Sequence, residues 1–281
     1  MVTFSREKVT PAVSRIRNSP DVCMYLVEGR DRAVLIDTGN GVGDLKGYVE
    51  KMLDGKPYDV IVTHGHVDHA SGADQFERVF MNELDYELSL KHCAIEHRKE
   101  SFSNWRRMFP KIVMPQFEEE DFIPVRTRPY LPLEDGQEFK LGGITLRMIH
   151  TPGHTQGIMV ILDIEERIAF FGDACGVEVL MLAEEAGTIE EYRDSLKRLK
   201  TFSGLYDRVL RNHGACESPC TVLDDNITVC EKILEGTDDK VPEIFEGMPC
   251  IRAMAIDCKS HKRIDGGEGN ILYLANKIVS H

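Results

Sequence analysis

The sequence predicts a mixed α+β protein, and three observations carry that prediction. Short apolar, β-branched runs recur at 22–28, 32–36, 58–63, 145–149, 157–163, 168–171 and 207–210, bounded by Gly, Pro and Asp. Such runs read as buried strands. Between them, 44–53, 83–108 and 188–202 carry apolar residues at helical spacing. Finally, the residues able to do chemistry gather where strands end, at Asp37, at 64–69, at His154, at Asp173 and at His213.

Taken in order, 22–28 and 32–36 form a strand pair turned by Gly29, Arg30 and Asp31 and closed by Asp37-Thr38-Gly39. Leu45, Tyr48, Val49 and Met52 place a helix over 44–53. The turn Gly55-Lys56-Pro57 then leads into the strand 58–63, which runs into His64-Gly65-His66-Val67-Asp68-His69. Three of the ten histidines, with an aspartate among them, stand within six positions there. In extended backbone His64 and His66 point to one side and suit one metal ion. Asp68 and His69 lie where the chain must turn, with Gly65 easing the geometry, and suit a second. Imidazoles with a few carboxylates fit zinc, manganese or iron(II).

A short helix is expected at 72–76 and a strand at 79–81. Leu84, Leu88, Ile95, Phe102 and Trp105 then mark one or two helices over 83–108. The segment 101–110 combines aromatics with Arg106 and Arg107, and two readings stay open: a wall of a substrate pocket, or an amphipathic helix packing its aromatics. His92 and His97 read as solvated helix residues. A hairpin over 133–149 precedes His150-Thr151-Pro152-Gly153-His154, where Pro152 and Gly153 force a tight turn at a strand end; His150 itself reads as structural. The strands at 157–163 and 168–171 follow, the second ending in Gly172-Asp173. Thr188 and Glu191 have capping-box spacing at the start of a helix that runs to 202. The strand 207–210 leads into Arg211-Asn212-His213-Gly214. The tail reads as a helix over 221–234, a charged linker, and strands at 251–257 and 270–278.

His-x-His-x-Asp-His after a strand, Asp-Thr-Gly before it and Thr-Pro-Gly-His-Thr after it resemble the metallo-β-lactamase superfamily, from about Asp21 to about Gly214. The resemblance implies a four-layer αββα sandwich with metal ions at one edge. It makes His154 a ligand beside His64 and His66. It makes Asp173 a bridging carboxylate and His213 the partner of Asp68 and His69, with Asp37 holding the ligand loop. β-Lactam-splitting members generally lack that bridging aspartate, and Cys175 is offset by two from Asp173. The implied branch is therefore that of thioesterases, lactonases and phosphodiesterases. Against the family template, 83–130 is a helical insertion near the metal edge and 218–281 a C-terminal extension of a single domain, 1–281. That extension is too short for a separate glutathione-binding helical domain.

A net charge of −13 and a pI near 5.3 argue against nucleic-acid partners, whose binding rests on phosphate neutralisation. The amino terminus lacks a basic-then-apolar leader and no run approaches the ~18 apolar residues of a membrane helix, so a cytoplasmic protein away from membranes is expected. Eight cysteines without a Cys-x-x-Cys pair read as reduced thiols, with a structural zinc at Cys216, Cys220 and Cys230 as the alternative. The tail strands are available to close a sheet edge or to pair copies into a homodimer.

The expected function is a dinuclear hydrolase, with zinc first and manganese or iron admissible. A hydroxide shared by the two ions would attack a small ester-like substrate, a thioester or lactone by preference. Asp68, a ligand first, would also orient the hydroxide or carry a proton to the leaving group. The alternatives are a phosphodiesterase, a flavodiiron-like redox enzyme, against which His66 speaks, and a metal-binding module without catalysis.

Overall fold

The computed structural model describes residues 2–19, 22–111 and 116–279. Asp21, residues 112–115 of the expected insertion and residues 280–281 of the extension lie outside the described residues. The chain divides into two compact units, Met1–Arg147 with Asn212–Gly214, and Met148–Arg211 with Ala215–His281.

In the first unit β1 (Ser5–Lys8), β2 (Val13–Arg17), β3 (Met24–Glu28) and β4 (Ala33–Ile36) run antiparallel. After α1 (Leu45–Leu53), β5 (Tyr58–Ile61) joins β4 in parallel. The short α2 (Val67–Ala70) and β6 (Val79–Met81) follow, then α3 (Tyr86–His92), α4 (Ile95–Met108) and β7 (Leu131–Pro132), giving one sheet in the order β1 to β7. Its core is Ile16, Met24, Leu26, Leu35, Val60 and Val79, covered by Leu45, Val49 and Leu53 of α1. The side chain of Asp44 caps that helix by accepting from Gly47 N at 2.8 Å. Parallel pairing of β4 with β5 is the feature that positions the ligand loop. It brings their carboxyl ends together, so that Asp37 N donates to Ile61 O at 2.8 Å and the two ends share one neighbourhood.

The expected helices at 83–108 are α3 and α4, and two buried arginines tie the expected insertion to its surroundings, Arg98 from α4 and Arg126 from the segment that follows it. Arg98 donates to Gly41 O and Ile123 O, and Arg126 to the carbonyls of Ala73, Phe76, Glu77 and Pro129. Phe102 is buried with Val42, and Trp105, Phe117 and Phe122 pack against them, so Phe102 and Trp105 follow the packing reading while Phe109 is exposed. The hairpin of β8 (Glu138–Lys140) with β9 (Thr145–His150) ends this unit, since β9 crosses the boundary.

In the second unit the end of β9 continues into β10 (Met159–Asp163) and β11 (Ile168–Phe170), then β12 (Val179–Met181), α5 (Ile189–Lys200), β13 (Arg208–Leu210), β14 (Glu217–Ser218) and α6 (Val222–Glu235). β11 pairs parallel with β13 and antiparallel with β10, and β13 pairs with β14. Tyr192, Leu196 and Leu199 of α5 and Val229 and Ile233 of α6 close over Val160, Leu162 and Ala169. The capping box is present as expected, Thr188 Oγ1 accepting from Glu191 N and Glu191 Oε2 from Thr188 N.

The tail departs from expectation. Its strands are β15 (Val241–Phe245), β16 (Met248–Arg252) and β17 (Ile271–Tyr273), in a separate sheet ordered β12, β17, β16, β15. The segment expected to be a charged linker thus holds β15, whose Pro242 and Glu243 conceal it. The expected strand at 251–257 begins and ends earlier, and that at 270–278 ends at Tyr273 because Leu274 O accepts from Lys277 N in a turn. β1, β2 and β12 are likewise absent from the sequence-based expectation. β1 is polar and exposed, and β2 buries Arg15, which pairs with Glu7 at 2.8 Å and lies over the ring of Tyr25. Among the described residues, no helix is long and apolar enough to cross a membrane.

Candidate metal centre

In the first unit the strand β5 delivers Thr63 and His64 into the loop that opens α2, and Asp37 organises that loop from the end of β4. Asp37 is fully buried with φ 64°. This left-handed conformation is one that aspartate tolerates better than most residues. Its Oδ1 accepts from Thr63 N at 2.7 Å and its Oδ2 from Asn212 Nδ2 and His69 Nδ1, both at 2.9 Å; Thr63 Oγ1 donates to the same carboxylate. The expectation that Asp37 holds the ligand loop is met. Asn212 also donates to Cys23 O at 2.8 Å, and Val22 bridges His213, which seats His213 beside the loop.

A histidine whose Nδ1–H is donated to a carboxylate presents Nε2 as its lone-pair nitrogen. His69 is in that state. Its Nε2 lies 3.5 Å from Asp68 Oδ2, and His213 Nε2 lies 3.2 Å from the same oxygen. One ligand atom from each of Asp68, His69 and His213 falls within 4.8 Å of the others. His64, fully buried, has its ring centroid 4.1 Å from that of His69 and 4.8 Å from that of His66. The first unit thus gathers His64, His66, Asp68, His69 and His213, a donor set of imidazoles and one carboxylate that suits zinc and its neighbours.

The glycines of the loop act through closeness. A Cβ on Gly65 would stand 2.8 Å from Asp85 O and one on Gly72 2.5 Å from Thr38 O. Gly65 is needed because α3 lies against it, with Gly65 N donating to Asp85 Oδ2 at 2.9 Å. That differs from the expectation of an eased turn.

In the second unit Pro152 and Gly153 turn the chain so that His154 is only 5% exposed. Its Nδ1–H donates to Leu180 O of β12 at 2.8 Å, which again presents Nε2, here 3.8 Å from Asp173 Oδ2. A Cβ on Gly153 would stand 2.3 Å from the Tyr192 ring, so glycine is required for that approach. Asp173 follows Gly172, whose φ is 54°. His150 Nε2 is hydrogen-bonded to Gln156 O, 2.7 Å away, a structural role as expected. Burial pushes the Cys175 thiol up to about 12, so it stays protonated, as a buried structural cysteine does. Cys216 and Cys230 are buried and Cys220 exposed, and these three make no candidate metal cluster among the described residues.

The expectation for His92 needs correcting. His92 is not a solvated helix residue: its ring stacks on His66, centroids 5.0 Å apart and planes within 12°, and His97 lies 4.8 Å beyond it. Helical spacing places both residues on helices, but only the packing of α3 against the ligand loop reveals the stack. Asn212 and Leu180 O are functional groups that the sequence reading misses. Asn212 stands next to His213, a usable signal, whereas a backbone carbonyl carries none.

A sequence profile described as the Metallo-beta-lactamase superfamily matches residues 21–205. The human acyl-coenzyme A thioesterase MBLAC2 is 28% identical over 207 residues, covering 68% of this chain and 72% of that protein. The probable polyketide biosynthesis zinc-dependent hydrolase BaeB of Bacillus velezensis is 26% identical over 200 residues, covering 69% and 74%. Among solved structures, a metallo-beta-lactamase from Pontibacter korlensis superposes with a TM-score of 0.58 at 17% identity, covering 82% of this chain and 99% of that one. The fold class is therefore the α+β sandwich of that family, as expected.

Proposed function

The chain belongs to the metallo-beta-lactamase superfamily and is a metallo-hydrolase, and we propose that it is a dinuclear thioesterase. In this reading His64, His66 and His154 would hold one divalent ion, Asp68, His69 and His213 would hold the other, and Asp173 would be the carboxylate they share. Zinc is the first candidate. The observation that carries the reading is the pair of oriented imidazoles: His69 through Asp37 Oδ2 and His154 through Leu180 O both present Nε2. Support for the thioester comes from relatives named as thioesterases and from the presence of Asp173 just past a buried strand, where the family resemblance expects a shared carboxylate.

Two bound dications would supply a nucleophile from water at neutral pH and polarise the substrate carbonyl. What the chain itself adds is orientation and proton handling. Asp37 and Leu180 O keep His69 and His154 in one tautomer and one orientation. Asp68, about one-fifth exposed and beside the Nε2 atoms of His69 and His213, would in this reading accept the proton of the attacking water. As the C–S bond breaks, that proton can pass to the departing thiolate, so Asp68 serves in both half-steps. A small organic thioester is the substrate class in this reading.

The test is proton release from thioesters, lactones, β-lactams and phosphodiesters, run with and without chelator and with His66→Ala as control. Chelator-sensitive turnover of thioesters, lost in the variant, is the expected result. Turnover of another class in their place would replace the substrate, and a protein that binds fewer than two ions would overturn the dinuclear site.

A further inference from the structure

We propose that Lys277 is a positioning residue for His154, acting through the loop that follows β12; this rests on reading His154 as a metal ligand. The Nζ of Lys277 donates to Ala183 O, Glu184 O and Ala186 O at 2.6, 2.8 and 2.9 Å. An ammonium has three donors and no acceptor, so these three bonds engage it fully. Three carbonyls converging on one cation would repel one another without it, and the lysine fills what is otherwise a small cation nest.

That loop is joined to His154 from both sides. Upstream, β12 supplies Leu180 O, the acceptor of His154 Nδ1–H, and Leu180 is in register with Leu272 of β17. Downstream, Gly187 N donates to Gly153 O at 2.8 Å, one residue before His154, and Gln156 Nε2 donates to Glu185 O. The backbone of Lys277 is tied as well, its O accepting from Ile189 N at the start of α5. The loop is thus held between β12, the ligand turn and α5, with the lysine at its centre. A shift of the loop moves Leu180 O, and with it the direction of the imidazole lone pair. The C-terminal segment, to which this reading assigns no metal ligand, becomes part of the apparatus that orients one.

The experiment is zinc titration of metal-free protein against a chelating competitor, for the wild type, Lys277→Met, Lys277→Arg, His154→Ala and Lys232→Met. Loss of a group that orients a ligand typically costs 10–100-fold in metal affinity. Lys277→Met should weaken the ion that His154 binds by about ten-fold. Lys277→Arg, which keeps the charge and several donors, should restore most of that loss. Lys232, whose ammonium lies 3.9 Å from the sulfur of Met254 and from Asp265, is the control lysine and should change nothing. In the metal-free protein the His154 Nδ1–H resonance should broaden in Lys277→Met through faster exchange with water. Unchanged affinity and an unchanged resonance in a folded Lys277→Met overturn the positioning role, including where only the melting temperature falls. If His154→Ala itself binds zinc as the wild type does, the ligand assignment fails, a distinct outcome.

Discussion

The two units hold their histidines by opposite means. In the first, a buried carboxylate does the holding: Asp37 takes side-chain donors from Thr63, His69 and Asn212, and the Thr63 backbone N–H as well, joining the ends of β4 and β5 to the 212–214 segment. In the second, the acceptor is the carbonyl of Leu180, and what keeps that carbonyl in place is a sheet and a lysine from the chain's last residues. Hydrogen bonds to an ionised acceptor are roughly twice as strong as neutral ones, so the first arrangement is stiff but depends on one residue. The second spreads the same task over several groups, a sheet register and the three charge-assisted bonds of Lys277. Removing a single side chain should therefore hurt the first unit more.

The largest expected effect comes from that asymmetry. Asp37→Ala orphans buried donors on Thr63, His69 and Asn212, and each unsatisfied donor costs on the order of 1–3 kcal/mol, so a loss of roughly 3 kcal/mol or more is expected. Asp37→Asn separates charge from shape, because asparagine also tolerates the left-handed backbone at φ 64°. It should lose less stability yet bind zinc at least about ten-fold more weakly, since the amide can no longer accept from every partner. Urea unfolding of the metal-free proteins and competitive zinc titration give the two numbers. An Asp37→Ala protein within about 1 kcal/mol of wild type would remove the basis of the comparison.

Next in size are the glycines at the two ligand turns. At Gly153 an added Cβ meets the ring of Tyr192, fully buried and fixed by its hydroxyl donating to Ala174 O at 2.8 Å, so the ring cannot retreat. Gly153→Ala should cost about 1–3 kcal/mol, the usual range for overpacking, and displace His154. Gly65→Ala meets Asp85 O at 2.8 Å and Ser89 N at 3.0 Å, at the start and middle of α3, a less severe overlap than the 2.3 Å approach at Gly153. Its smaller expected loss is read in the same urea series. A larger loss at Gly65 would mean that α3 is the stiffer neighbour, and that the first unit owes its order to packing as much as to Asp37.

The same asymmetry decides how much of the molecule is legible in its sequence. Most strands and helices are legible because apolar periodicity reports burial: β6 falls on 79–81, and α5 starts behind its capping box. Asp37 is legible because a side chain does the work, and Asp-Thr-Gly at a strand end is a pattern in residue types. Leu180 O and Lys277 are not, since a carbonyl belongs to every residue and a lysine at 277 has no local pattern that points to a loop 91 to 94 residues away. β15 escapes because Pro242 and Glu243 oppose the alternation of a strand, yet its pairing with β16 makes it one. His92 escapes because a ring stack depends on how α3 meets the loop, which helical spacing does not encode.

A second buried carboxylate sharpens the comparison through pH. Asp163, at the end of β10, accepts from Glu166 N at 3.0 Å, and burial raises its pKa to about 6. A carboxyl whose folded pKa lies above its unfolded value favours folding when protonated, so its contribution falls as pH rises from about 4 to about 6 and then levels. Asp163→Asn should lack this dependence. It should be the more stable protein above pH 6, by on the order of 2 kcal/mol, and the gap should close towards pH 4. Urea midpoints of both proteins across that range check the sign. A gap that widens on acidification would mean that the neighbours of Asp163 favour its charged form over its neutral one.

The smallest expected effect probes how far the second unit's support extends. Thr188 caps α5, accepting from Glu191 N at 3.2 Å, and Thr188→Ala should cost about 1 kcal/mol, the ordinary value of an N-cap. The cap lies one residue from Gly187, whose N–H holds Gly153 O, and Ile189 N in the first turn of α5 donates to Lys277 O. If the bonds around His154 are shared as widely as the geometry indicates, loosening one helix end leaves zinc affinity within about two-fold of wild type. That two-fold limit is small beside the 10–100-fold loss expected when an orienting group is removed outright. A larger drop in affinity without a larger drop in stability would place the α5 terminus among the groups that orient His154. The second unit would then depend on a few critical bonds, as the first depends on Asp37.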